Sequence, residues 1–271
     1  MESPVHAPRL GFGIVGRTAE AAVELAALGP ELERLGYDEI WVNDGRARSA
    51  LDSLAVLGAG TTRIDLCVGV TPLDERPAAW IADRVAALGL PHERLVLGVG
   101  SGGSASLDLV RDGVAELRRL LPDARVAVSA LGPRMCRLAG EIADVVLLNW
   151  TFPERVAWAR DRVAEGATRG GRAAPRVAGY VRVAVGVDAV ERLGTEAARY
   201  ARRPRSYAVL FADQGAGEHG WPGVAAELPE QVPALLQRYR ASLDSCVVRG
   251  LPVQDSLDGW LDVARAATLP P

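Results

Sequence analysis

A regular alternation of short apolar runs and longer amphipathic runs extends through the sequence and constrains the fold more than any other feature. Eight apolar runs are predicted to form strands, and Ala- and Leu-rich patterns typical of helices separate them. Strands that alternate with helices in this way form parallel sheets with crossover helices. The runs cover residues 10–16, 39–44, 64–72, 94–102, 125–131, 144–150, 176–187 and 245–252. Eight such units in 271 residues predict an α/β protein built as a single (β/α)8 barrel.

No internal repeat, low-complexity tract or linker divides the sequence, so one domain is expected over residues 1–271. Residues 202–223 interrupt the seventh crossover with Gly, Pro and aromatic residues. We interpret this segment as an excursion over the mouth of the barrel, where the carboxyl ends of the strands carry the functional loops.

Charge and composition exclude several classes of partner. The net charge is -3, and the 31 basic residues, all Arg, are scattered, so a nucleic-acid partner is not expected. No apolar run approaches the ~20 residues that span a bilayer, and the first residues lack the pattern of a signal peptide. Three distant cysteines in apolar segments suit reduced core thiols, with no disulfide framework or metal site. A cytoplasmic enzyme without a membrane partner is predicted.

Two glycine motifs lie at strand–helix junctions. "GVGSGG" (98–103) matches the dinucleotide-binding fingerprint, but no acidic residue ends the next strand. We therefore interpret these glycines as residues that let a ligand approach a barrel loop closely.

Gly132 and Pro133 follow the fifth strand and begin a helix. A helix N-terminus attracts anions, and Pro is tolerated in the first turn. The spacing alone leaves a phosphate site and an ordinary tight turn equally open.

The segment "ALGPRMCRLAGEIADVVLLNW" (130–150) resembles the luciferase-like flavin/deazaflavin oxidoreductase superfamily, particularly the branch that uses coenzyme F420 and includes methylenetetrahydromethanopterin reductase. "LERLGYDEIWVND", "TTRIDLCVGVTP", "ERLVLGVGSG" and "SCVVRGLPVQDSLDGWLDVARAA" extend the similarity over nearly the whole chain.

The resemblance implies a barrel whose mouth binds F420, with FMN as the alternative cofactor. The third strand would carry a bulge with a non-prolyl cis peptide at Gly69–Val70, behind the cofactor ring. Ser101 and Gly102 would approach the cofactor's tail or pyrimidine edge, and the fifth strand's end would hold its phosphate region. The implied cofactor-binding residues are Val68, Gly69, Val70, Ser101, Gly102, Ala130, Leu131, Gly132 and Asn149.

The sequence departs from the family pattern where proton transfer is expected. Asp44 is followed by glycine where several members have an Asp-His pair, and "SGGSAS" lacks the carboxylate that some deazaflavin dehydrogenases use. Insertion loops are also shortened, which predicts an open or reshaped pocket. The candidate catalytic residues are Asp44, Asn43, Asn149 and His219, the last within the mouth excursion. Trp150 and Trp221 are candidates either to stack on a ligand or to pack in the core.

The resemblance therefore implies an oxidoreductase that transfers a hydride between F420 or a flavin and a small organic substrate. An FMN-dependent monooxygenase and a non-redox barrel that has lost the usual acid and base remain alternatives. Family members are commonly dimers, and residues 49–60 and 78–89 contain more small and apolar positions than one core-facing stripe requires. A homodimer is therefore expected.

Overall fold

The structure, a computed structural model, describes residues 8–17, 21–44, 49–202, 205–218 and 220–270. Its strands are β1 (Arg9–Val15), β2 (Glu39–Asn43), β3 (Asp65–Val68), β4 (Thr71–Pro72), β5 (Leu95–Gly100), β6 (Arg125–Ser129), β7 (Val145–Asn149), β8 (Arg176–Val185), β9 (Val224–Ala226) and β10 (Ser245–Gly250). Strands pair in parallel in the order β1-β2-β3-β5-β6-β7-β8-β10, and β10 returns to β1. The sheet is therefore closed, and the predicted (β/α)8 barrel is confirmed.

The helices cover the outside of this barrel. They are α1 (Ala22–Arg34), α2 (Ala50–Gly58), α3 (Ala78–Leu88), α4 (Leu107–Leu120), α5 (Pro133–Ile142), α6 (Pro153–Arg169), α7 (Ala189–Ala201), α8 (Arg205–Asp213), α9 (Val232–Ser242) and α10 (Leu257–Thr268). Their apolar faces and the outward side chains of the strands form one large core. Across the described residues, every helix is too short or too polar to cross a bilayer.

The third predicted strand is divided into β3 and β4 by a bulge. Cys67 pairs with Val96 and Thr71 pairs with Val99, so four steps along this strand match three steps along β5. One extra residue is the defining feature of a β-bulge. The peptide bond between Gly69 and Val70, inside the bulge, is cis, which confirms the expected geometry.

The excursion after the seventh strand includes a helix that the sequence did not predict. It contains α8, and β9 follows it and pairs with the last residues of β8. Leu210 and Phe211 of α8 pack against Trp150, just past the end of β7. The segment therefore does cover part of the barrel mouth. That residues 1–271 form one domain stays a prediction.

Charged side chains fill the end of the barrel at which the strands begin, here called the closed end. Glu39 is fully buried and accepts hydrogen bonds from Arg9 Nε (2.9 Å), Trp41 Nε1 (2.7 Å) and the Arg176 guanidinium. Asp65 accepts from Arg9 Nη2 at 2.6 Å. Each of these buried carboxylates is thus paired with cations of the chain, as a buried charge requires, at the face opposite the functional loops.

Candidate functional site

The predicted site residues follow five neighbouring strands of the barrel. They lie at or just beyond the carboxyl ends of β2, β3, β5, β6 and β7. Because all five strands are parallel, the structure brings these residues to one end of the barrel. His219, the remaining candidate, lies outside the described residues.

The cis peptide is held by side chains from two other strands. Asn43 donates its side-chain amide to the Gly69 carbonyl, and the Tyr180 hydroxyl donates to the same oxygen at 3.4 Å. The Gly69 N–H donates to the Val42 carbonyl at 2.8 Å. A Cβ at position 69 would lie 2.2 Å from the Tyr180 hydroxyl oxygen, so only glycine fits this contact. Asn43 therefore positions the backbone of the bulge.

The valines on either side of Gly69 face different surroundings. Val68 packs outward in the core between the strands and the helices, so only its backbone is available to a ligand at the mouth. Val70 is half-buried and packs against the cluster inside the barrel, which includes Trp41 and Tyr180. Of the two side chains, that of Val70 is the one that can support a ring.

Asp44 is fully engaged by groups of the protein. Its side chain is 1% exposed and forms an ion pair with Arg76. It also accepts from Thr71 Oγ1 at 2.8 Å and from the N–H of Ala50, the first residue of α2, at 2.9 Å. The carboxylate thus links β2, β4 and α2. These contacts suit a positioning role better than proton transfer, which requires a freely accessible oxygen.

The loop after β5 is short, as predicted, and is fixed by a carboxylate from the loop after β4. Gly102 has φ +61°, and a Cβ there would lie 1.7 Å from Asp74 Oδ1. The Gly103 N–H donates to Asp74 Oδ2 at 2.8 Å, and the Ser101 carbonyl accepts from Ser104 Oγ at 2.7 Å. Glycine is thus required at position 102 by the contact with Asp74. Ser101 remains half-buried beside this turn.

Gly132 leaves the N-terminus of α5 open. It is the N-cap residue with φ -101° and ψ 167°, it provides no side-chain cap, and Pro133 is in the first turn. A Cβ built on Gly132 meets no atom within 4 Å. Ala130 is buried, whereas Leu131 packs against the aromatic cluster at the mouth. A helix N-terminus without a side-chain cap suits an anion.

Asn149 connects the end of β7 to its neighbours. Its amide donates to the Tyr207 hydroxyl at 2.7 Å, and its carbonyl oxygen accepts from the Arg182 guanidinium. The next residue, Trp150, is fully buried among Tyr200 and Phe211. Trp150 therefore packs in the core rather than stacking on a ligand.

Comparison with known protein families gives a result that agrees with this fold. A family model described as luciferase-like monooxygenase matches residues 8–121 and 112–244. The chain belongs to the luciferase-like family. The 5,10-methylenetetrahydromethanopterin reductase of Methanolobus tindarius is 27% identical over 197 residues, which are 59% of this chain and 60% of that protein. The chain therefore spans less than two thirds of this curated relative.

Solved structures resemble this luciferase-like barrel over almost its full length. An F420-dependent secondary alcohol dehydrogenase, in complex with an F420-acetone adduct, has a TM-score of 0.74 at 15% identity and covers 97% of this chain and 99% of its own. The oxygenating constituent of 3,6-diketocamphane monooxygenase from Pseudomonas putida, in complex with FMN, has a TM-score of 0.70 at 14% identity, with 97% of each chain covered. At these identities the similarity establishes the fold alone.

Sequence analysis missed four polar residues at the mouth of this luciferase-like barrel. Tyr180 and Arg182 lie two residues apart on β8, Arg249 lies on β10, and Tyr207 lies on α8. Alternate residues of a strand face the same side. Two arginines inside otherwise apolar strands, "GYVRVAV" and "SCVVRG", were the signal that could have revealed them.

Proposed function

We propose that this protein is an oxidoreductase that binds F420 at the ends of β3 to β7 and transfers a hydride between it and a small organic substrate. The observation that carries the proposal is the open, uncapped N-terminus of α5 at Gly132, in a barrel of the luciferase-like family. Hydride transfer lies outside the chemistry of ordinary side chains, so a cofactor must supply it.

The residues at the mouth fit the parts of such a cofactor. The N–H groups beyond Gly132 would hold a phosphate. The half-buried side chain of Val70 and the backbone of the bulge would support a planar ring, because Asn43 fixes the carbonyl orientation there. Polar groups for the remaining edges come from Ser101 and Asn149. A bound F420 or FMN would supply the site that gives or accepts the hydride.

The chain's own contribution is orientation and exclusion of water. The cluster of Trp150, Leu193, Leu210 and Phe211 covers the sector of the mouth beside β7 and β8 with apolar surface. Asn149 is held at this border by Tyr207. A dry border strengthens polar contacts to a bound ring and limits side reactions. His219, in the same excursion, stays a candidate proton donor.

Direct titration tests the proposal. Purified protein is titrated with oxidised F420, FMN and riboflavin, and binding is followed by the change in ligand fluorescence. We expect saturable F420 binding with Kd at or below about 10 μM and weaker FMN binding. Reduced F420 should then be oxidised only when a suitable organic acceptor is added. Absence of saturable binding to both cofactors would contradict the proposal and favour a non-redox barrel.

An FMN-dependent monooxygenase is the second candidate. It is favoured by the family description and by the similarity to the FMN-bound oxygenating constituent of diketocamphane monooxygenase. Tight binding of FMN with weak binding of F420, together with oxygen consumption by the reduced FMN complex, would select it.

We also propose a cytoplasmic homodimer that acts on a small molecule and not on nucleic acid. The apolar residues of α2 are largely used in the core. By contrast, α3 exposes Ala79, Trp80, Ala86 and Ala87 on one face, around the exposed Asp83, with Trp80 36% exposed. Aromatic residues such as Trp80 are enriched at interfaces between protein chains. This face of α3 is therefore the expected interface.

A further inference from the structure

Two arginines lie side by side at the open end of the barrel. Arg182 of β8 and Arg249 of β10 are register partners across the sheet. Tyr180 and Val247, two residues earlier on the same strands, pack inside the barrel. Alternate residues face the same side, so both arginines are directed inward, one layer nearer the mouth.

Arg182 is buried with an unsatisfied donor. The residue is 2% exposed, and its guanidinium lies 4.1 Å from the centre of the Trp150 ring and 5.2 Å from that of Tyr200. Its one hydrogen bond within the described chain goes to Asn149 Oδ1. Arg182 Nε has no hydrogen-bond partner in that part of the chain. Cation–π contacts offset only part of the cost of removing a guanidinium from water.

Arg249 places the second guanidinium at the wall of a cleft. Its Nη1 forms two long bonds, to the carbonyls of Gly250 (3.2 Å) and Gly13 (3.4 Å). Burial and the neighbouring Arg182 both lower the pKa of Arg249. No carboxylate in the described ranges lies within ion-pair distance of either arginine. Within the described residues, these two adjacent cations therefore form no ion pair with a carboxylate.

The cleft has a volume of about 580 Å³ and lies between the ends of β1 and β10 and helix α7. The acidic residues nearest Arg249 are already paired, since Asp255 binds Arg17 and Glu196 binds Arg199 at 2.7 Å. Two further carboxylates, those of Asp188 and Glu191, line the cleft but are exposed to solvent. Arg192 also lines the cleft without an ion pair in the described chain, but its guanidinium donates to the carbonyls of Val185, Val187 and Leu251, which leaves Arg249 at the inner wall as the cation available to a ligand.

We propose that this cleft binds the substrate, and that Arg249, backed by Arg182, receives an oxyanion of that substrate, a carboxylate or a phosphate. A guanidinium without a carboxylate partner is suited to an oxyanion ligand, and its fork geometry fits carboxylate and phosphate alike. The strand order separates this site from Gly132 on the β6 side, so two anions are accommodated at different sectors of the mouth. Assigning the anion to substrate rests on the proposed function, in which Gly132 holds the cofactor.

Inorganic phosphate and acetate are the probes, and binding is measured by calorimetry on the full chain without cofactor, at constant ionic strength in chloride. We expect saturable phosphate binding to the wild type. Arg249→Met should weaken that binding at least tenfold, whereas Arg249→Lys should retain part of it. The matched control is Arg238→Met on α9, which removes an exposed cation outside the cleft that is paired with Glu154 at 2.8 Å. It should change the affinity less than twofold, and circular dichroism should show each variant folded.

Several outcomes overturn the proposal. Equal losses in Arg238→Met and Arg249→Met would indicate a diffuse electrostatic effect, and absence of phosphate and acetate binding to the wild type would show that no anion site exists. Comparing FMN with riboflavin, which lacks the phosphate, separates the two sources of the anion. If Arg249→Met removes the preference for FMN, the arginines hold the cofactor's phosphate and the substrate assignment is wrong. A protein that binds phosphate but neither cofactor would contradict the proposed function while supporting the anion site.

Discussion

Replacing Gly132 with aspartate should separate cofactor binding from stability. The site has the extended φ and ψ values typical of an N-cap, and a Cβ there meets nothing within 4 Å. Aspartate and asparagine both cap helices well, and either should change the free energy of unfolding by only a few tenths of a kcal/mol relative to glycine. The two variants are nearly isosteric. Their difference in cofactor affinity therefore isolates the added charge.

The size of that difference follows from Coulomb's law. Two unit charges about 5 Å apart at an effective dielectric constant of about 20 repel each other by about 3 kcal/mol. That energy corresponds to roughly a hundredfold weaker binding. Gly132→Asn should lose much less, since its amide does not repel a phosphate. Gly132→Ala adds a methyl group into open space and should stay close to the wild type.

Fluorescence titration of F420 and FMN into the wild type and the three variants measures these affinities, and urea denaturation measures stability. The expected result is a folded Gly132→Asp protein of unchanged or slightly higher stability that binds cofactor about a hundredfold more weakly than Gly132→Asn. Riboflavin, which has no phosphate, should bind the Asp and Asn variants equally. If the folded Asp variant binds both cofactors like the wild type, Gly132 is an ordinary turn residue and the phosphate assignment fails.

Two further predictions concern assembly and pH. Trp80→Glu on α3 should convert the expected dimer to a monomer in sedimentation velocity, whereas Val190→Glu, at a 76% exposed apolar position on α7, should not; a wild type that is monomeric at all concentrations would contradict the interface. Burial raises the pKa of Glu33, but N–H groups of Arg63 and Ile64 outweigh it and lower the pKa to about 2. This stabilisation is complete above pH 4.5, the ordinary pKa, and is lost as the pH falls towards 2. Glu33→Gln should therefore destabilise by about 1 kcal/mol at pH 7 and by progressively less in acid; a constant difference in urea denaturation would refute this.

The barrel was predictable because the spacing of apolar residues along a strand or helix depends on which of its sides is buried. Strands such as residues 144–150, apolar along their length, are covered on both faces, as in parallel sheets. The structure retains all eight runs as barrel strands, with the third divided at Gly69. Helix α8 was missed because "RRPRSYAVLFADQGAG" mixes Pro and Gly with an apolar stretch too short to establish a period.

The site was less predictable because its residues act through partners distant in sequence. The sequence around Asp44 contains no pattern that indicates its ion pair with Arg76. That ion pair and the hydrogen bond from Thr71 are what make Asp44 a link between strands. Likewise, the contact between Asn149 and Tyr207 joins residues 58 positions apart. Tertiary contacts of this kind follow from the closure of the barrel and leave no local pattern.

The positions of the arginines along the barrel distinguish structural from functional charge. At the closed end, Arg9 and Arg176 bond to the buried carboxylate of Glu39, so each cation there has a counterion built into the chain. At the open end, Arg182 and Arg249 occupy the same kind of inward position without a carboxylate partner among the described residues. The same residue type in the same barrel thus forms ion pairs with carboxylates at one end, and at the other end forms none within the described residues. Since leaving buried charge unpaired costs stability, an asymmetry of this kind is expected where a ligand completes the site.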